Sequence, residues 1–224
     1  MEVHVIVFIT VVVGILLWLC VFNVRSHFSV NKSEEIVFEY PNFLTHNECD
    51  RIIQLSTEAG LHKSQVYTSE KDNQDDQHRV SEQCWLDNSV DHLILKISQK
   101  AAEISGKPIS HQETLQVVKY PQGGFFNPHY DPCVGDIEFC KRMNEKGGPR
   151  YMTLLVYLND DYEGGETAFP KLDKSVKPQK GKAVVFFNTD NEGKILENSM
   201  HGGNPVSNGN KWICNKWVRM ESMY

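Results

Sequence analysis

The chain has 224 residues and a formal net charge of −6. This length accommodates one domain with a sizeable core and a short appendage. The balance is mildly acidic and the sequence contains no basic run, which argues against a nucleic-acid-binding protein.

The N-terminal segment from Val5 to Phe22 has no charged side chain and is interrupted only by Thr10 and Gly14. As a helix with a rise of about 1.5 Å per residue it would be roughly 27 Å long, close to the thickness of a bilayer core. A cleaved signal peptide and a buried core helix are the alternatives. A signal peptide would need a basic region before the apolar run and a small-residue cleavage site after it, and both are missing. We therefore predict a single transmembrane anchor over residues 1–24 and a polar linker over residues 25–35.

The globular part, residues 36–224, is predicted to begin with a strand over residues 36–44, IVFEYPNFL. Thr45 and Glu48 then form the S/T-x-x-E pattern of a capping box. This pattern predicts a helix that starts after Thr45 and ends near Gly60.

A second helix is predicted from Ser89 to Ser105, because apolar residues recur there at helical spacing and Gly106 follows. Between the two helices, residues 67–80 are polar and acidic and show no periodicity, which favours a loop. Both helices are predicted to support a sheet rather than to carry chemistry.

From Gln112 onward the pattern is typical of strands separated by Gly, Pro, Asn and Asp turns, one of them at Asn208-Gly209. The predicted strands are TLQVVKY, RYMTLLVYL, ETAF, KAVVFF and KWICNKWVRM. Several short strands that follow two helices predict an α+β fold. We expect a jelly-roll barrel, or double-stranded β-helix, with the N-terminal helices packed on one sheet.

The candidate site is formed by His129 and Asp131 in NPHYDP and by the distant His201 in SMHGGNP, with Lys211 ten residues later. Two imidazoles and one carboxylate suit a mononuclear Fe(II) site with open coordination positions. The His-x-Asp step suits a strand and its following turn, where alternate residues point to the same side. His201 can join them only if the fold brings a remote strand alongside. Lys211 would then supply a fixed cation for a dicarboxylate co-substrate.

Four segments in this order resemble the catalytic domain of prolyl 4-hydroxylases, in the Fe(II)/2-oxoglutarate dioxygenase superfamily. They are LQVVKYPQGGFFNPHYD, GPRYMTLLVYLNDDYEGGETAFP, VKPQKGKAVVFF and MHGGNPVSNGNKWICNKW. The resemblance is strong over residues 112–220 and looser over residues 36–111. It implies hydroxylation of peptidyl proline at C4, coupled to conversion of 2-oxoglutarate and O2 into succinate and CO2. It also implies that His129, Asp131 and His201 hold Fe(II), and that ascorbate rescues oxidised iron.

The same resemblance assigns roles to further residues. Lys211 matches the cation that binds the far carboxylate of 2-oxoglutarate, while Tyr120 and Thr167 match hydroxyl donors to that carboxylate. Trp217 matches an aromatic wall near the metal, and packing in the core is the alternative for Trp217 and Thr167. Arg150 in GPRYMTL matches a basic catalytic-site residue near the substrate. The expected partner is a proline-containing peptide in an extended, polyproline-II-like conformation.

Two positions depart from the family pattern. Phe126 stands where a Tyr is common, and Arg219 stands where a His is common. Each change alters a polar contact near the reacting carbon and so bears on the choice of peptide. Three alternatives therefore remain: hydroxylation of another side chain such as lysine, an inactive barrel that serves as a binding module, and a zinc hydrolase. The presence of all three ligands and Lys211 argues against the binding module. A zinc hydrolase could use the same three ligands but would have no reason to keep Lys211, Tyr120 and Thr167 at these spacings.

The compartment is open at this point. Arg25 and Lys32 follow the predicted anchor and no Lys or Arg precedes it, which favours a cytosolic catalytic domain. The family resemblance implies the opposite side, the lumen of the endoplasmic reticulum. Outside the anchor the chain has five cysteines, an odd number, so they cannot all pair within one chain. Cys133 and Cys140 are close enough in sequence to form a loop disulfide in a lumenal domain.

Overall fold

The computed structural model describes residues 35–65 and 75–224. The predicted anchor, and the predicted linker up to residue 34, lie outside the described residues. Within the described part of the chain, no helix is both long enough and apolar enough to cross a bilayer.

The described residues form four helices and thirteen strands. The helices are α1 His46–Ala59, α2 Asp75–His78, α3 His92–Ser105 and α4 Ile137–Met143. The strands are β1 Val37–Tyr40, β2 His62–Lys63, β3 Glu82–Leu86, β4 Leu115–Tyr120, β5 Phe126–His129, β6 Arg150–Tyr157, β7 Glu163–Gly164, β8 Thr167–Phe169, β9 Lys174–Val176, β10 Ala183–Phe187, β11 His201–Gly203, β12 Val206–Asn208 and β13 Lys211–Arg219.

The strands make one large sheet and two smaller ones, and their pairings are antiparallel. The large sheet has seven strands in the order β1-β10-β6-β13-β4-β3-β2, and a second sheet has the order β5-β11-β8-β9. Strands β12 and β7 form a separate pair. This mixed α and β architecture with antiparallel sheets fits the predicted jelly-roll barrel.

Helix α1 has the predicted bounds, because its capping box forms. The Thr45 hydroxyl accepts from the Glu48 backbone N–H at 3.3 Å, and the Glu48 carboxylate accepts from the Thr45 N–H at 2.8 Å. The apolar side of α1, including Ile52 and Leu55, is buried. The helix packs against β3 and β4, and α3 packs against β13, so both predicted helices support the seven-stranded sheet.

Helix α3 starts at His92 rather than at Ser89, so the predicted N-terminus was wrong. The carboxylate of Asp87 accepts from the Ser89 N–H at 2.9 Å, which holds that residue in a turn. Asp91 is the N-cap and accepts from the Leu93 N–H at 3.0 Å. The C-terminus is as predicted, since Gly106 caps the helix in the left-handed conformation.

Two other sequence assignments need correction. The first strand covers only residues 37–40 of the predicted 36–44, because a turn follows at Pro41. Within the predicted loop 67–80, residues Asp75–His78 form the short helix α2. Strand β3 was not predicted. Strands β5 and β11, which carry the candidate ligands, were expected from the chemistry of the ligands and not from a strand pattern.

The two faces of the large sheet have different surroundings, as the residues of strand β13 show. Alternate residues point to opposite faces of a strand. Lys211, Ile213, Asn215, Trp217 and Arg219 all line one cavity of about 790 Å³. Residues from the four-stranded sheet line the same cavity, which therefore lies between the two sheets, while the opposite face of the large sheet carries the helices.

Candidate active site

The pairing of β5 with β11 brings the two candidate histidines together. His129 and His201 are register partners, and their ring centroids are 4.4 Å apart. The close approach requires a glycine next to His201. A Cβ on Gly202 would lie 2.9 Å from the carbonyl oxygen of Phe126 on the neighbouring strand. The predicted arrival of a remote strand beside the His-x-Asp step is therefore confirmed.

Asp131 lies in the bend after β5, as predicted for the end of a His-x-Asp step. Its two carboxylate oxygens lie 3.8 Å from Nε2 of His129 and 3.8 Å from Nε2 of His201. The three potential ligand atoms are all within 4.8 Å of one another. A single metal ion can therefore contact all three side chains.

Both imidazoles are oriented by backbone carbonyl groups. Nδ1 of His129 donates to the carbonyl oxygen of Asn127, and Nδ1 of His201 donates to that of Ser199, each at 2.9 Å. A carbonyl can only accept, so each Nε2 keeps its lone pair for a metal. Burial, followed by the neighbouring His201, lowers the pKa of His129 to about 3, so the neutral imidazole needed by a metal is the stable form.

The carboxylate of Asp131 is held by a chain of hydrogen bonds. The Thr153 hydroxyl donates to Oδ2 of Asp131 in a short hydrogen bond, and Nδ2 of Asn188 donates to the same hydroxyl at 2.8 Å. Burial alone would raise the pKa of Asp131. The neighbouring His201, Arg150 and His129 and the Thr153 hydroxyl outweigh it and lower that pKa below its usual value. The ionised form, which binds metal, is thus favoured.

This donor set fits Fe(II). Two imidazole nitrogens and one carboxylate oxygen are the donors of the facial triad of non-haem iron oxygenases, and all three side chains line the cavity. A closed structural zinc site would use four protein ligands, and no fourth His, Cys, Asp or Glu joins this cluster among the described residues.

Lys211 is the most deeply buried of the cations that line the cavity, with 2% of its surface exposed. Its ammonium lies 5.1 Å from the ring centroid of Tyr120 and donates to the carbonyl oxygen of Gly165 at 2.7 Å. Gly165 has a φ of +67°, and a Cβ there would meet Cδ of Lys211 at 3.1 Å. Burial lowers the pKa of Lys211 to about 7, because Glu166 offsets the loss of hydration only in part.

The two predicted hydroxyl residues lie in the same cavity as Lys211. Tyr120 is 4% exposed, and burial raises its pKa, so it keeps the proton that it would donate. Thr167 is also buried and accepts at Oγ1 from the hydroxyl of Tyr157 at 2.6 Å. Lys211, Tyr120 and Thr167 thus form a compact polar pocket.

Arg150 and Trp217 form the floor of the cavity beside the ligands. The guanidinium carbon of Arg150 lies 3.6 Å from the ring centroid of Trp217, and Nη1 lies 4.0 Å from Oδ1 of Asp131. Glu113 accepts from Arg150 through both carboxylate oxygens, at 2.7 and 2.8 Å. Burial would raise the pKa of Glu113, but Arg150 and Arg219 together lower it. The bidentate pair fixes the plane of the Arg150 guanidinium.

The two departures from the family pattern have clear positions. Phe126 stacks on His129 with ring centroids 3.6 Å apart, and the guanidinium of Arg79 lies 4.7 Å from the centre of the Phe126 ring. Arg219 donates to Glu113 at 2.8 Å and to the carbonyl oxygens of Met143 and Gly148, at 3.2 and 2.6 Å. Arg219 therefore links Glu113 to the segment that contains Met143 and Gly148.

All of the site residues predicted from the sequence line one cavity. Sequence reasoning missed four that support them: Arg79, Glu113, Thr153 and Asn188. Thr153 could have been noticed in the sequence, because it is a polar residue among apolar and aromatic neighbours on its strand. Arg79 was assigned to a loop, and no spacing marks Glu113 or Asn188.

Comparison with known proteins agrees with this geometry. The sequence profile of the 2OG-Fe(II) oxygenase superfamily matches residues 115–219. The crystal structure of a viral collagen prolyl hydroxylase from Paramecium Bursaria Chlorella virus-1, in complex with 2OG, is similar with a TM-score of 0.66 and 30% identity. The alignment covers 83% of this chain and 96% of that one.

Two plant proteins are similar at the level of sequence. "Probable prolyl 4-hydroxylase 3" of Arabidopsis thaliana is 34% identical over 207 residues, covering 84% of this chain and 70% of the plant protein. "Prolyl 4-hydroxylase 5" of the same plant is 33% identical over 201 residues, with coverages of 81% and 67%.

The fold and the site thus define a 2-oxoglutarate-dependent dioxygenase of the 2OG-Fe(II) oxygenase superfamily. Within that superfamily, the chain belongs to the prolyl 4-hydroxylase family.

Proposed function

We propose that this dioxygenase hydroxylates peptidyl proline at C4, with succinate and CO2 as co-products. The observation that carries the proposal is the joining of the His129, Asp131 and His201 cluster and the buried Lys211 pocket in one cavity. The proline specificity is supported by the relatives, which are named as prolyl hydroxylases.

His129, Asp131 and His201 would hold the iron. When bound, Fe(II) supplies the O2 chemistry that couples decarboxylation of 2-oxoglutarate to oxidation of a C–H bond. The protein contributes orientation. Carbonyl groups fix both imidazoles, and Thr153 fixes Asp131. A carboxylate that is hydrogen-bonded at one oxygen presents the other oxygen to the metal.

Lys211 would bind the far carboxylate of 2-oxoglutarate. An unpaired carboxylate in this buried pocket would lose its hydration without compensation. The Lys211 ammonium replaces that hydration with a charge-assisted hydrogen bond, and Tyr120 and Thr167 add neutral donors. The pocket therefore selects an acid whose second carboxylate lies at the right distance from the metal.

Arg150 would lie near the peptide at the metal. Its guanidinium is held between Glu113 and the face of Trp217, so it has little rotational freedom. Nε1 of Trp217 is buried and has no hydrogen-bond partner among the described residues. These groups can orient an extended peptide and exclude water from the reacting carbon.

Succinate release by the purified protein, with Fe(II), 2-oxoglutarate and ascorbate, tests the proposal. A proline-rich peptide should stimulate release, and mass spectrometry should locate one added oxygen atom on proline. A lysine-containing peptide without proline is the matched control. Oxygen on lysine alone would establish the alternative substrate, and absence of succinate from folded, iron-loaded protein would favour a binding module.

The proposal extends to ascorbate, the membrane anchor and the compartment. We infer that ascorbate rescues oxidised iron, and that residues 1–24 anchor the enzyme in a membrane. We place the catalytic domain in the lumen of the endoplasmic reticulum. The disulfide between Cys133 and Cys140 supports the lumenal side, because disulfides persist in oxidising compartments. Protease digestion of sealed microsomes tests the side, since a lumenal domain survives until detergent is added.

A further inference from the structure

The segment of residues 132–148, here called the crosslinked wall, follows the ligand Asp131 and forms one side of the cavity. Cys133 and Cys140 are joined by a disulfide with their Cα atoms 5.3 Å apart. Helix α4 starts inside this loop, where Asp136 accepts from the Phe139 N–H at 2.8 Å. The crosslink limits the conformations open to this short loop.

The far end of the crosslinked wall is fixed by Arg219. Its guanidinium donates to the carbonyl oxygens of Met143 and Gly148 and also to Glu113. Gly147 packs so closely that a Cβ on it would lie 2.8 Å from Cδ of Arg219. The crosslinked wall therefore follows directly on Asp131 at one end, and at the other end it is held by Arg219, which shares Glu113 with Arg150. Its conformation is thus fixed before a peptide binds.

The face that the crosslinked wall turns to the cavity is mainly apolar, with Asn144 as its polar member. Val134, Phe139 and Met143 line the cavity, and Val134 is 61% exposed. Trp85 of β3 lines the same cavity and is 41% exposed. Large apolar side chains that remain exposed at the rim of a ligand site are typical of a surface that another molecule covers.

We propose that the crosslinked wall selects the peptide, by binding an apolar side chain next to the target proline against Val134 and Phe139. The inference rests on the proposed function, because it needs a peptide at the metal. The wall surface is continuous with the metal site in one cavity of about 790 Å³. That volume is near the upper end of the roughly 300–1,000 Å³ of ligand pockets, so it leaves room for a peptide beside 2-oxoglutarate.

The charged residues of the crosslinked wall do not form a site that would favour a charged side chain of the peptide over an apolar one. The outer side of the wall carries both signs, with Glu138 3.9 Å from Lys141. Arg219 donates to Glu113 and to the carbonyl oxygens of Met143 and Gly148 and is covered by Gly147, so it is not a free site for an acidic residue. The surface left for a side chain of the peptide is therefore hydrophobic.

Two peptides of equal length test the inference, with the target proline flanked by leucine in one and by serine in the other. Partial burial of a leucine predicts a preference of about tenfold in kcat/KM for the leucine peptide, carried by KM. Val134→Ser should reduce this preference at least threefold, through a higher KM for the leucine peptide. The matched control is Val90→Ser, since Val90 is 48% exposed and does not line the cavity.

The outcomes separate the two proposals. Equal kcat/KM for both peptides, with hydroxyproline formed in each, would overturn the wall's role and leave the proposed function intact. An undiminished preference in Val134→Ser with an unchanged melting temperature would also overturn it. Succinate without hydroxyproline from either peptide would refute prolyl hydroxylation, and the inference with it. Loss of the preference in Val90→Ser as well would show that the effect is not local, and would contradict the inference.

Discussion

Binding of 2-oxoglutarate should weaken steeply between pH 7 and pH 9, because the ammonium of Lys211 loses its proton over this range. Burial lowers the pKa of Lys211 to about 7. Only the protonated form can pair with the far carboxylate, so affinity is retained below this pKa and lost above it. About half of the molecules carry the charge at pH 7 and about 1% at pH 9, which predicts an apparent Kd roughly 50-fold higher at pH 9.

Calorimetry on protein loaded with Mn(II) in place of iron measures this effect without turnover. Repeating the titration in buffers of different ionisation enthalpy should reveal about half a proton taken up per 2-oxoglutarate at pH 7. Oxalate is the control ligand, since it can bind a metal but has no far carboxylate. Its affinity should change much less with pH.

Two variants complete the test. Lys211→Met should bind 2-oxoglutarate weakly and lose the excess pH dependence over oxalate. Lys182→Met removes another buried lysine, one that pairs with Glu39 at 3.0 Å and does not line the cavity, and it should keep that dependence. A wild-type affinity that stays constant from pH 7 to pH 9 would refute the assignment of Lys211 as the titrating partner.

Three further predictions concern the ligands and the scaffold. His129→Ala or Asp131→Ala should abolish succinate formation with the circular dichroism spectrum unchanged; turnover near the wild-type rate would contradict the iron site. Thr153→Val should weaken Mn(II) binding about 10- to 100-fold, and Thr153→Ser should restore it; wild-type affinity in Thr153→Val would show that the hydroxyl is not needed. Asp91→Ala should lower the free energy of unfolding in urea by about 1 kcal/mol, through loss of the α3 cap; an unchanged midpoint would exclude that role.

The sequence predicted the supporting parts of the fold well. Helix α1 has local signals at both ends, and β4, β6, β10 and β13 are rich in β-branched, aromatic and other apolar residues. These elements are stabilised by burial of apolar side chains, and such side chains recur in the sequence at a recognisable spacing. The error at Ser89 arose because Asp87 and Asp91 can both begin a turn or a helix, and only the packed structure decides between them.

No strand pattern in the sequence marked the strands that hold the candidate ligands, and their composition explains this. Strand β5 reads FNPH and β11 reads HGG, so neither has the propensity of a strand. The histidines of these strands are candidate metal ligands and the glycines allow the two backbones to approach closely, so the usual strand composition is absent. The candidate ligands could still be recognised in the sequence, because the combination of His-x-Asp with a distant His and Lys is visible without the strands.

The supporting shell of the site was the least predictable part. Glu113, Thr153 and Asn188 act through contacts between segments far apart in sequence. Hydrogen bonds such as that from Asn188 to Thr153 depend on register between β10 and β6, and no spacing in the sequence encodes it. The function of such residues follows from geometry alone.

The pairing of β5 with β11 also affects when the protein can acquire iron. His129 and His201 lie far apart in sequence, and long-range pairings of this kind tend to form late because loop closure costs entropy. A partly folded chain offers His129 and Asp131 alone, a two-ligand site of low affinity. High-affinity iron binding therefore requires the completed barrel. A redox-active ion does not bind tightly to the partly folded protein.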